Sequence, residues 1–117
     1  MQQHDAAAHG AFAAAMHASM EAMARAMQAA PMTGDPDRDF LAMMIPHHAG
    51  AVEMARLVLV HGRDPLVRRL AEDIIAGQQA EIASMQARLD ILRRGSDPEP
   101  GGFPALGGTR GPVPRSP

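Results

Sequence analysis

The stretch "DFLAMMIPHHAGAVEMARLVLVHGRDP", residues 39–65, decides the fold. Its apolar residues recur at three- and four-residue steps rather than in alternation, which is the period of a helix. At about 100° of rotation per residue, Phe40, Met43, His47, Met54 and His61 fall along one line, with Ala51 and Val58 beside it. His48 points about 100° away, near Met44 and Ala55. The polar side reduces to Glu53 and Arg56, so this helix is expected to be the most buried of the molecule. Pro46 removes one intrahelical hydrogen bond beside the histidines and is expected to bend the helix there. Gly62 ends the segment. Asp64 then reads as an N-cap and Pro65 as the first residue of a new helix.

Working outward, three helices are expected. The first runs from about residue 6 to 30 and stops at Pro31, the second covers 38–61 and the third 65–94. "MTGDPDRD" (32–39) is turn chemistry, with Asp37 or Asp39 as the expected N-cap of the second helix. From Gly95 onward, "GSDPEPGGFPALGGTRGPVPRSP" is too rich in Gly and Pro to build a core. Residues 1–94 therefore read as one helical domain and 95–117 as a disordered tail. Strand-type alternation is missing. The fold class is all-α: an antiparallel bundle of three long helices. Three helices leave apolar surface uncovered, and self-association into a four-helix or larger bundle would cover it.

Composition excludes several functions. A net charge of −2 offers no basic patch, which argues against nucleic acid as a partner. There is no cysteine, hence no disulfide, no thiolate metal site and no Cys nucleophile. No run of about 18 apolar residues lacks a polar break, so no membrane span is expected. The stretch "MQQHDAAAHGAFAAAMHASM" (1–20) lacks the basic and apolar regions of a signal peptide. Gly-x-Ser-x-Gly and phosphate-cradling glycine loops are absent too, so catalytic turnover is not expected.

What remains is an unusual set of groups on apolar stripes. In the first helix His9, Ala13, Met16, Met20, Met23 and Met27 make one stripe, with His17 on its flank. In the third, Val67, Leu70, Ile74, Met85, Leu89 and Leu92 make another, and Gln78 and Glu81 fall in its middle. A buried, unpaired carboxylate is expensive. The bland reading is that methionine fills irregular gaps, that His47 donates to the carbonyl freed by Pro46, and that Gln78 and Glu81 hold His47. The sharper reading is a metal site where the three stripes face one another. Thioether and imidazole together select copper, above all Cu(I), though Cu(II) stays open. Zinc would favour Cys or three His and carboxylate ligands. A di-iron site needs about four carboxylates with Glu-x-x-His spacing, which is missing here.

"GDPDRDFLAMMIPHHAGAVEMARL" (34–57) followed by "DPLVRRLAEDIIAGQQAEIASMQ" (64–86) resembles the DUF305 family over about residues 32–92. The family positions are Asp39, Met44, His47, His48, Met54, Gln78, Glu81 and Met85. The resemblance implies a ferritin-like helical bundle, exported to the periplasm or cell surface, with copper binding in some members. His47, His48 and Met54 are then the expected first-choice ligands. Met44, Met20, Met23 and Met85 would complete or extend the site, and Glu81 would be a further ligand. Glu81 with Gln78 is expected to orient His47 through its second nitrogen, and Asp39 to be an outlying support or a turn residue. The expected function is copper binding and buffering by a methionine-rich bundle. The alternative is a structural module whose Met-rich surface docks a partner.

Overall fold

A computed structural model describes residues 2–95 and 97, with side chains from residue 10 onward. The tail expected over 95–117 lies, apart from Gly95 and Asp97, outside the described residues, as does the side chain of His9. The chain forms three helices, α1 (Gln2–Gln28), α2 (Pro36–His61) and α3 (Pro65–Arg93), and the described residues contain no strand. The fold is an antiparallel three-helix bundle. The four-helix arrangement is corrected to three helices within the described chain.

Helix boundaries follow the punctuation. Asp35, not Asp37 or Asp39, caps α2, and its carboxylate accepts from the Asp37 amide. Pro36 at the first helical position forces this choice, since its preset φ suits N1 and it has no amide to satisfy. Asp64 caps α3 as expected, accepting from the Val67 amide at 2.9 Å. Arg68 locks the α2–α3 turn by donating to the carbonyls of Leu59 (2.7 Å) and Gly62 (3.1 Å). Those carbonyls belong to the end of α2, where helical partners run out. Gly34 carries the α1–α2 turn at φ +88°, a conformation that disfavours side chains.

The packing differs from the expected convergence of three stripes. α2 is the central helix, with α3 and α1 on opposite sides of it. Leu41, His48, Val52 and Ala55 are the buried α2 positions that turn toward α3. Leu41 meets Met85 and Leu89 of α3 there, with Met44, Ile45 and Ile82 packed around them. Two residues past His48, about 200° round the helix, Gly50 is buried against Met23 of α1. Further along the same seam Phe12 meets the ring of His61 edge-on, with centroids 5.5 Å apart. Among the described residues no Cα of α1 comes within 8 Å of α3. The helices therefore lie side by side in one layer.

That layer has two open faces. The front carries Phe40, Met43, His47 and Met54 of α2; the back carries Ala49, Glu53, Arg56 and Val60. Phe40, Met43, Val67, Leu70 and Ile74, expected in the core, are all exposed. The expected α2 stripe is a real line of apolar residues, but it lies between the two packed sides rather than on either of them.

Candidate functional site

His48 is the buried imidazole, and His47 is exposed. The His48 Nδ1 lies 2.9 Å from the Met44 carbonyl, and Nε2 lies 2.6 Å from Glu81 Oε2 across the α2–α3 seam. A carbonyl only accepts, so Nδ1 carries a proton and donates. The contact between Nε2 and the carboxyl oxygen then needs a proton of its own. Two lone pairs at this separation would repel, so the pair is either imidazolium with carboxylate or imidazole with carboxylic acid. In both forms His48 has no free nitrogen. Glu81 thus holds His48, which corrects the expectation that it orients His47. The physical reason is one residue of phase: His48, not His47, sits on the side of α2 that faces α3.

The thioethers are divided in the same way. Met85 is buried and Met44 half-buried in the α2–α3 core, close in the fold to the His48–Glu81 pair. Met23 is half-buried on the other seam, against Gly50. Met20 is exposed and Met54 half-buried. Because α1 does not reach α3, Met20 and Met23 cannot share a site with Met85 and Glu81 within one chain. Gln78 is half-buried one turn before Glu81 on α3. Asp39 stands apart. Its carboxylate accepts from the Thr33 amide (2.8 Å), the Thr33 hydroxyl (2.9 Å) and the Gly34 amide (2.9 Å), so it holds the α1–α2 turn and supports no imidazole. The backbone hydrogen bond from Thr33, aided by the Thr33 hydroxyl and the Gly34 amide, holds its carboxyl below the ordinary carboxylate value.

Among the described residues no three His, Asp or Glu side chains gather into a metal-ligating group. Apart from Met32 in the α1–α2 turn, the exposed methionines Met20 and Met43 are on the front face with His47. His47 has Met43 four residues before it, on the same side of α2. The seam contacts of Met23 with Gly50 and of Phe12 with His61 set the antiparallel register of α1 on α2. That register brings Met27 level with His47, and Met20 level with Met54. Met43 and Met27 were not among the expected ligands. Their signal was present in "MMIPHH" (43–48), which contains two Met-x-x-x-His pairs one residue out of phase.

A small helical protein with a carboxylate-clamped histidine and a second, open histidine is thus the class that fold and site define. A family model described as a domain of unknown function (DUF305) matches residues 1–89. The chain belongs to the DUF305 family. It is also similar to a protein of Acanthamoeba polyphaga mimivirus named Uncharacterized protein L153, with 43% identity over 54 residues. That match covers 46% of this chain and 36% of the relative's length.

Proposed function

We propose that this protein binds and buffers copper, taken up as Cu(I), on the front face of α2, without catalytic turnover. His47 would be the imidazole ligand, with Met43 and Met54 on the same helix and Met27 and Met20 from α1 as thioether donors. The observation that carries this reading is the exposed His47 ring with a thioether one helical turn away. The donor set fits the ion, because imidazole and thioether suit a soft monovalent metal and no thiol competes. When bound, copper would supply linkage between donors that otherwise share no contact. The chain's part is to leave His47 free, which it does by committing His48 to Met44 and Glu81. Thioethers do not oxidise to disulfides, so the set suits the periplasmic or extracellular setting that we propose with it.

The test is an anaerobic Cu(I) titration against a chromophoric chelator. Wild type should withdraw the metal. His47→Ala should weaken binding at least about tenfold, near 1.4 kcal/mol, while Glu81→Gln leaves it unchanged. A wild type that leaves the chelator fully loaded, or a His47→Ala variant that competes as well as wild type, overturns the reading.

A further inference from the structure

We infer that a second copy of this chain covers the front face, so that the working unit is a two-layer homodimer with His47 in the seam. Domains are built from two packed layers around a core, and one copy supplies a single layer. Its buried core is small: Leu41, Val52, Ala55, Ala71, Met85 and Leu89, with no side chain below 2% exposure among the described residues.

The two faces of the layer differ in chemistry. Helix handedness and the antiparallel pairing of α3 with α2 place Val67, Leu70, Ile74 and Glu81 on the same side as His47. That side also carries Phe40 and Met43, and Met20 from α1. Phe40 is 60% exposed, Leu70 59%, Val67 and Met20 49%, Ile74 44% and Met43 36%. With about 150–250 Å² for an aromatic side chain such as Phe40 and less for the aliphatic ones, the six leave on the order of 500 Å² of apolar surface on one face. That is toward the upper end of what a monomer exposes as a patch, and a large part of the ~800 Å² per partner of a standard stable interface. The charges of this face are paired within the chain: Glu81 with His48, and Arg88, in phase with Leu70 on α3, with Asp97. The back presents Glu53, Arg56, Glu72 and Gln86, with Val60 as its exposed large apolar side chain and alanines such as Ala18, Ala22 and Ala49 between α1 and α2.

The second copy is favoured as occupant because the charges on the front, Glu81 and Arg88, already have partners within the chain. A charged partner would have to displace those pairs, whereas an apolar face meets its own equivalent across a two-fold axis with like on like. The inference rests on the packing of the helices and not on the copper reading, so its test is run with a metal chelator present.

Sedimentation equilibrium should give twice the 12.4 kDa of one chain. Phe40→Glu and Leu70→Glu alter side chains that are exposed in one copy, and each should return the mass to a single chain. Val60→Glu, on the back, should keep the double mass. The wild-type Tm should rise with protein concentration, as linked folding and association require. This second readout holds even where a front-face variant loses its fold on dissociating. A single-chain mass at about 100 μM, a hundredfold above a micromolar dissociation constant, overturns the proposal. So does a double mass that survives both front-face substitutions.

Discussion

Gly50→Ala tests the seating of α1 on α2, on which the separation of Met20 and Met23 from the α3 groups depends. In an exposed helix the change should stabilise by about 1 kcal/mol, because glycine is the poorer helix former. Here the added methyl would meet Met23. Its carbon would stand 2.5 Å from Sδ, 2.6 Å from Cγ and 2.9 Å from Cβ. Ordinary carbon contacts lie near 3.5–4.0 Å. Sδ and Cγ can swing aside by rotamer change, but Cβ is fixed to the α1 backbone and can yield only if the helix moves. Overpacking of this kind costs typically about 1–3 kcal/mol. The clash therefore outweighs the propensity gain, and the net loss should be about 1 kcal/mol. For a domain of this length that is a Tm decrease of roughly 4–8 °C. The assay is urea and thermal unfolding followed by helical circular dichroism, at fixed protein concentration. Met23→Ala in the same background should recover part of the loss, since it removes the two nearest atoms; the pair should couple by about 1 kcal/mol. If Gly50→Ala instead gains the full propensity term and shows no coupling to position 23, α1 does not sit on α2 as described.

Further outcomes follow from the two polar clusters. His48→Ala should cost about 2–4 kcal/mol, from the emptied site and the lost bonds to Met44 and Glu81, read by urea unfolding. Glu81→Gln should cost under about 1 kcal/mol, because an amide N–H can donate to Nε2 while Nδ1 still donates to Met44, whereas Glu81→Leu leaves Nε2 unpaired and should cost more, about 1–2 kcal/mol given that the Glu81 side chain is 40% exposed. Asp39, whose carboxyl is lowered in the fold, contributes stability that is present above its ordinary value of 3.8 and is lost as pH falls through the lower folded value. Thermal unfolding of Asp39→Asn should show a lower Tm than wild type at neutral pH, and the gap should narrow in acid below 3.8. A gap that stays constant there would show that the carboxylate has no differential role.

The helices were legible because their ends are written in local chemistry. Pro31, the Asp35–Pro36 and Asp64–Pro65 pairs and Gly62 admit few alternatives, and a three- to four-residue apolar period selects helix over strand. The N-cap of α2 was misread by two to four residues, since Asp35, Asp37 and Asp39 each suit the position and only Pro36 arbitrates. The buried faces were less legible for a different reason. Apolar periodicity marks the side of a helix that avoids water, but it does not say what covers that side. Phe40, Met43, Leu70 and Ile74 are as apolar as a core stripe, yet the contacts within one chain fall about 100° to the side. Which flank of α2 receives α3 is set by long-range packing of Leu41, Met85 and Leu89, and no local signal encodes it.

The same one-residue phase explains why two histidines stand together. "MMIPHH" repeats a Met-x-x-x-His pair with an offset of one position, which on a helix is a rotation of about 100°. The Met44–His48 pair turns into the α2–α3 seam, where the Met44 carbonyl and the Glu81 carboxyl take both ring nitrogens. The Met43–His47 pair turns to the front, with both side chains accessible. The ring centroids lie 5.9 Å apart at a 60° interplanar angle, but with both His48 nitrogens engaged the two imidazoles do not offer a shared set of free nitrogens. His61, the other histidine of α2, has its ring against Phe12. Any role that asks α2 for a free imidazole beside a thioether therefore falls to His47, while His48 fixes the position of α3 beside it.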